Sequence, residues 1–179
     1  MSTVLPGAPS LQLRVPTDED ALAWHRAFDD PEVMKFFGGV PEEISLYEEL
    51  TARQRRFDAE LGYCLWTVLG EDGEVAGFAG AQPWPRDFGP VGEIEIGWRL
   101  ARSAWGRGYA TAAARLTLER LRAAGVERVV AVIDVANERS IAVARRLGME
   151  RAETFSTSRP GQEAVCYRLT LTDEARAQA

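Results

Sequence analysis

The sequence predicts a mixed α/β sheet with helices on both faces, and three features carry that reading. Short segments alternate apolar and polar side chains, while others repeat their apolar residues at helical spacing. Late in the chain, Val129-Val-Ala-Val-Ile133 is apolar throughout, as in a central strand covered on both faces. With 179 residues and 46% apolar positions, the chain is long enough for one full core. A single domain over 1–179 is expected, its ordered core at about 11–171, because residues 1–10 and the last six have the composition of frayed ends.

The elements follow in order. Leu11-Gln-Leu-Arg-Val15 alternates like a strand, and Thr17-Asp-Glu-Asp20 resembles a capping box opening a helix through about Phe28. Pro41 opens a second helix that places Ile44, Tyr47, Leu50 and Phe57 near one face. The period then changes. Tyr63 to Leu69 and Val75 to Gly80 form a hairpin turning at Asp72-Gly73. A Pro/Gly-rich loop, Pro83 to Pro90, leads to a strand from Glu93 to Leu100, with Glu93 and Glu95 on one face and Ile94, Ile96 and Trp98 on the other. A helix from Gly108 to Ala124 carries Ala110, Ala113, Ala114, Leu118 and Leu121 at helical spacing and stops at Gly125. After the buried strand, a short helix runs from Asn137 to Leu147 and is capped by Gly148. Thr154 to Thr157 then pairs with Ala164 to Thr170 across Arg159-Pro-Gly-Gln162.

Composition excludes several chemistries. Cys64, Cys166 and the single histidine, His25, cannot alone supply a Cys/His zinc site or a disulfide framework, so no metal is expected. No Gly-x-Ser-x-Gly occurs. The formal charge of -6 (21 basic against 27 acidic side chains) argues against nucleic acid as the main partner. Mean hydropathy is -0.20, no apolar run approaches about 18 residues, and Met1-Ser-Thr-Val-Leu-Pro lacks a signal-peptide pattern. No membrane partner and a cytoplasmic location are expected.

The stretch from Trp98 to Thr111 is the most informative. A strand end runs through Arg102-Ser-Ala-Trp-Gly-Arg-Gly-Tyr-Ala-Thr111 straight into a helix. Glycines there let the chain turn tightly and aim several N–H groups at one point, at the positive end of a helix dipole. Such a turn suits a phosphate or pyrophosphate. Arg99, Arg102, Arg107 and Arg115 add four cations between Ile96 and Leu118, with no acid among them. A P-loop would need Gly-Lys-Ser/Thr, which is absent. A dinucleotide fingerprint would come near the first strand and end in Gly or Ala, where this chain has Thr111.

From about Leu11 to Leu171 the sequence resembles the Gcn5-related N-acetyltransferase (GNAT) superfamily, in particular its ribosomal-protein N-terminal acetyltransferases. Three motifs carry the resemblance: Ile96-Gly-Trp-Arg-Leu100, which is similar to the fourth strand; Ala104-Trp-Gly-Arg-Gly-Tyr-Ala-Thr111, similar to the pyrophosphate turn; and Asn137-x-x-Ser140 with Leu147-Gly-Met149 around the last helix. The resemblance implies the acyl-CoA N-acyltransferase fold: a mostly antiparallel sheet splayed between strands four and five. It implies acetyl-CoA as co-substrate, its pantetheine arm on the backbone from Trp98 to Leu100 and its pyrophosphate on the amides of Gly106, Arg107, Gly108, Tyr109 and Ala110. Thr111, Arg102 and Arg107 would assist. Two positions depart from the family pattern: Ser103 stands where Gln or Arg is frequent, and Ala144 where many members carry a tyrosine acid.

Glu93 and Glu95 are the candidate general bases, acting through water on the amine, although alternation alone also describes a solvated strand face. Ser140 is the candidate proton donor to the leaving sulfur, or a ligand of pantetheine. Asn137 either fixes the cofactor or caps the helix. Trp84, Phe88, Phe36 and Phe37 are candidate walls of an acceptor pocket. His25 reads as a surface or packing residue, and Arg145 and Arg146 either reach a coenzyme phosphate or form a solvated helix face. The expected activity is transfer of acetyl to a primary amine, a protein N-terminal α-amine included. The alternatives are a non-catalytic acyl-CoA-binding or regulatory protein and an enzyme acting on an aminoglycoside or polyamine, for which an acidic acceptor cleft would be the sign. Oligomeric state is left open, a homodimer included.

Overall fold

The computed structural model describes residues 9–171. The elements are β1 (Gln12–Arg14), α1 (Glu19–Phe28), α2 (Pro31–Met34), α3 (Ile44–Leu61), β2 (Leu65–Leu69), β3 (Val75–Pro83), β4 (Ile94–Leu100), α4 (Tyr109–Ala123), β5 (Arg128–Asp134), α5 (Glu138–Arg146), β6 (Glu150–Ser156) and β7 (Glu163–Thr170), with one 3-10 turn at Arg102–Ala104 before α4. All strands share one 7-stranded sheet in the order β1-β2-β3-β4-β5-β7-β6. Every pairing is antiparallel except β4 beside β5. This is the splayed mixed sheet that the sequence led us to expect.

Side-chain alternation divides the core in two. Leu65 of β2 and Phe78 of β3 pack with Trp24 and Phe28 of α1, Met34 of α2 and Tyr47 of α3. Trp66 and Val68, on the other face of β2, join Ala79, Ile96 and Leu100 against Tyr109, Ala113 and Leu118 of α4. Because both faces are covered, Leu65 to Val68 are buried without interruption. The same alternation carries Gln82 of β3 and Glu95, Gly97 and Arg99 of β4 to the α1/α3 face, while Ile96, Trp98 and Leu100 face α4.

Several boundaries differ from expectation. The second long helix begins at Ile44, not Pro41. Glu43 is extended (φ -66, ψ 148) and caps nothing with its side chain, and Glu42 is held toward Arg99 at 3.7 Å. The buried face of α3 is Tyr47, Thr51 and Gln54, and Ile44 is exposed. The short α2 was not anticipated, although its signal is local: Pro31 at the first turn and Asp30 accepting from the Glu32 amide. β1 spans only Gln12–Arg14, and β4 starts one residue after Glu93. β3 continues to Pro83 because Gln82 and Pro83 find partners in Glu95 and Ile94. β6 starts at Glu150 and reaches Thr154 through a register shift. The proposed capping box is half realised: the Asp20 carboxylate accepts from the Thr17 amide, but its other bonds come from Arg14 and Thr67. The expected frayed ends lie mostly outside the described residues, and Ser10, at their inner limit, donates its amide to Glu71.

Candidate active site

One edge of β4 is paired with β3 along its whole length, whereas its other edge meets β5 at a single register position, Glu95 opposite Val130. Past Glu95 the two strands separate. Of the peptide groups on that open edge, the Leu100 carbonyl accepts from Trp105 Nε1 at 3.0 Å, while those of Ile96 and Trp98 have no strand beside them and suit an arm that bears amides of its own.

β4 runs by way of the 3-10 turn into the start of α4. Gly106 (φ 73) and Gly108 (φ 79) are both left-handed, a conformation that costs other residues about 1–2 kcal/mol. Gly108 caps α4 with no side chain bonded to the helix start, so the amides of Tyr109, Ala110 and Thr111 receive no side-chain cap. A side chain added at Gly106 would meet open space. Arg102 lies 4.6 Å from the Trp105 ring, and Arg139 lies 4.5 Å from the same ring. Arg107 lies 4.9 Å from the ring of Tyr109, whose hydroxyl is turned inward to accept from the Glu71 amide. Free helix-start amides beside exposed arginines suit a diphosphate.

The separation of β4 and β5 opens into a cleft of about 320 Å³. Glu95, Gly97 and Arg99 line it from β4, and Asn137 and Ser140 from the start of α5. All four aromatic residues singled out from the sequence, Phe36, Phe37, Trp84 and Phe88, contribute to its wall. Burial drives the Glu95 pKa up to about 7, against the opposing pull of Gln82 and Arg86. Gln82 stands opposite Glu95 across the β3–β4 pair, and its oxygen accepts from Gln54 Nε2 at 2.8 Å. Gln54, fully buried on α3, also accepts from the Leu65 amide at 2.9 Å, which fixes its orientation and leaves the Gln82 amide hydrogens for Glu95.

Glu93 goes elsewhere. It is bound to Arg168 at 2.7 Å, in a cluster that includes Glu153, and does not line the cleft. Ser140 Oγ accepts from Trp98 Nε1 at 3.3 Å, so its own hydroxyl hydrogen is available to another acceptor. Asn137 Oδ1 caps α5 through the Ser140 amide at 3.2 Å, while its NH2 is left for the cleft that it lines. His25 packs edge-on against Tyr47 at 5.9 Å and stands apart from the cleft. Arg145 and Arg146 are exposed on α5. Ala144, at the place of the tyrosine frequent in the family, is completely buried.

Sequence reasoning missed three residues here. Gln54 and Gln82 carry no motif, and only their burial on facing elements makes them significant. Arg99 reads in the sequence as one of a strip with Arg102, Arg107 and Arg115, but it lines the cleft between β4 and β5. Arg86, Arg99 and Arg159 face Glu42, Glu95 and Asp134 around that cleft, so its lining is not predominantly acidic. Among the described residues, no cluster of His, Cys, Asp or Glu is arranged to hold a metal, and no helix is long and apolar enough to cross a membrane.

Comparison with known proteins adds an independent line. The sequence pattern of the acetyltransferase (GNAT) domain matches residues 10–150. The protein YkkB of Bacillus subtilis is 34% identical over 150 residues, covering 81% of this chain and 84% of that protein. An L-methionine sulfoximine/L-methionine sulfone acetyltransferase of Pseudomonas aeruginosa is 34% identical over 104 residues, 57% of this chain and 60% of its own. An acetyltransferase from Agrobacterium tumefaciens superposes with a TM-score of 0.72 at 26% identity, covering 94% of this chain and 96% of that one. With a splayed sheet, a glycine turn ahead of α4 and a match over most of its length, this chain belongs to the GNAT acetyltransferase family, whose members use acetyl-CoA as co-substrate.

Proposed function

We propose that the protein transfers acetyl from acetyl-CoA to a primary α-amine, with Glu95 as the general base. The observation that carries this reading is a carboxylate held near pKa 7 at the point where β4 and β5 part. Bound acetyl-CoA supplies the thioester whose carbonyl carbon takes the amine, the C–N bond forming as the C–S bond breaks and coenzyme A leaves as its thiol. Glu95 accepts the amine proton through water. Ser140, with its hydroxyl hydrogen free, donates toward the sulfur. Backbone from Trp98 to Leu100 holds the pantetheine arm, with Asn137 beside it. The amides from Gly106 to Ala110, the Thr111 hydroxyl, Arg102 and Arg107 hold the diphosphate. All of these roles fit within one domain.

An α-amine makes the smallest demand on such a base. At pH 7 roughly one α-amine in ten is neutral, against fewer than about one lysine side chain in a thousand. The L-methionine sulfoximine/L-methionine sulfone acetyltransferase of Pseudomonas, 34% identical over 104 residues, is named for acceptors derived from an amino acid, which is compatible with this reading. A cleft whose three arginines match its three acids lacks the acidic surplus that a polycationic aminoglycoside or polyamine would call for.

Release of coenzyme A thiol, followed across a panel of peptide N-termini, amino acids and polyamines, tests the reading. Turnover confined to α-amines is expected. Tight binding of acetyl-CoA with no thiol released by any amine would overturn it in favour of a non-catalytic binding protein. Gln82→Leu gives a finer check. Gln82 stabilises the ionised form of Glu95, so its loss moves the acidic limb of kcat/KM upward by roughly one pH unit. An unmoved limb would separate Glu95 from proton transfer.

A further inference from the structure

Arg99 is a mostly buried cation in the cleft wall whose only ion-pair partner among the described residues, Glu42, is held off at 3.7 Å. Its side chain is only 14% exposed. Three rings surround the guanidinium, Phe37 at 3.8 Å, Phe28 at 5.3 Å and Phe78 at 5.5 Å. Glu42 stands 3.7 Å away, longer than a hydrogen bond, and its own side chain is 26% exposed. The guanidinium donates to the Tyr47 hydroxyl, and Tyr47 and Glu42 both stabilise its charge. Nε is buried and has no hydrogen-bond partner among the described residues. Burial opposes the charge, and Tyr47 and Glu42 offset that only in part. A buried cation with one loose carboxylate and an idle donor gains from a further anion.

The place of Arg99 on β4 says where that anion sits. Glu95, Gly97 and Arg99 alternate onto one face and line one cleft. A side chain at Gly97 would meet nothing within 4 Å, so this glycine leaves a hollow floor between the base and the cation. Two residues along a strand cover about 7 Å, and the arginine side chain can shorten that span. An amine over Gly97 and a carboxylate at Arg99 are therefore separated by only a few bonds.

The far side of the cleft limits the size of the acceptor. Arg159 and Gln162, from the turn between β6 and β7, both donate to the Phe36 carbonyl, at 3.4 and 3.3 Å. Gln162 is anchored in turn on Asp134 at 2.8 Å. These bonds tie the loop after α2 to that turn along the flank of the cleft. A volume of about 320 Å³ is at the small end for small-molecule sites.

We infer that Arg99 is a specificity-determining residue that binds the carboxylate of a small amino-acid acceptor while the amine lies over Gly97 toward Glu95. This rests on the proposed acetyltransferase activity. It narrows the acceptor from α-amines in general to free amino acids, and sets peptide N-termini aside because their α-carboxylate is an amide.

The test is thiol release with the twenty L-α-amino acids, each paired with its α-carboxamide, alongside spermidine and a set of tripeptides. For the best side chain, the acid is expected to exceed its amide at least tenfold in kcat/KM. Arg99→Gln is expected to bring that ratio toward one, mainly through KM, and Arg99→Lys to keep most of it. Calorimetry on protein saturated with coenzyme A should register heat from the acid and none from the amide. The preference of the unaltered protein decides the question even if Arg99→Gln fails to fold. Amides or tripeptides turned over as well as acids, turnover of spermidine alone, or a ratio that survives Arg99→Gln would each overturn the inference while leaving the enzyme an acetyltransferase. No thiol release from any acceptor would overturn both.

Discussion

Glu95→Gln is expected to lower kcat by about 10²–10⁴-fold with acetyl-CoA binding intact, the usual contribution of a positioned base. The pH dependence follows from the raised pKa. Glu95 must be ionised and the amine neutral, so kcat/KM of the unaltered enzyme should fall one decade per unit below the amine pKa of about 8 and two decades per unit below about pH 7. The variant should keep only the one-decade slope set by the amine. Stability should change in the opposite direction. A carboxyl whose folded pKa exceeds its unfolded value favours the fold while protonated, and that contribution is lost as pH rises through the folded value. The rise from 4.5 to about 7 converts to on the order of 3 kcal/mol at about 1.4 kcal/mol per unit. Glu95→Gln should therefore unfold at a higher temperature than the parent at pH 8 and lose the advantage near pH 4. A variant with parental turnover, or one no more stable at pH 8, would remove Glu95 from the base role.

The largest loss of stability is expected from Asp20→Ala. Asp20 is only 2% exposed and accepts from Arg14 at 2.5 and 2.9 Å, from the Thr17 amide at 2.8 Å and from the Thr67 hydroxyl at 2.8 Å. These bonds join β1, the start of α1 and β2 on the sheet face below the site. Truncation leaves a buried hydroxyl, an amide and a cation without their acceptor, a loss of about 3 kcal/mol. Burial pushes the Asp20 pKa up, but Arg14, Thr17 and Thr67 together pull it below the ordinary value. Its contribution is thus complete above the unfolded carboxyl pKa of about 3.9 and disappears as pH falls through the lower folded value. Urea titrations at pH 7 and pH 3 should show a wide gap between parent and variant at the first pH and a narrower one at the second. An equal gap at both would mean that the carboxylate charge is not what holds these elements together.

Local patterns in the sequence carried most of the architecture and the glycine turn ahead of α4. Glycines before a helical repeat mark such a turn without knowledge of any distant residue, and Gly106 and Gly108 have the geometry that their identity suggests. The lining of the cleft depends on contacts between distant parts of the chain. Alternation treats Glu93 and Glu95 alike; Arg168, remote in sequence, engages the first, and burial beside Gln82 transforms the second. Pro41 resembles a helix start, but the extended Glu43 delays α3 to Ile44. Arg99 belongs to a cationic strip when read linearly, and only the two-residue period of β4 combined with the placement of Phe28, Phe37 and Phe78 turns it into the cleft wall. Gln54 is polar on the buried face of a helix, a pattern whose meaning depends on what lies across from it.

In the proposed reaction β4 would serve two reactants at once, its open edge holding one and its α1/α3 face, through Glu95, Gly97 and Arg99, the other. Their relative placement is thus set by the bond lengths and pleat of a few consecutive residues, clamped by β3 along the opposite edge. Breathing of the surrounding helices can alter how quickly molecules come and go without blurring the alignment of the atoms that must meet.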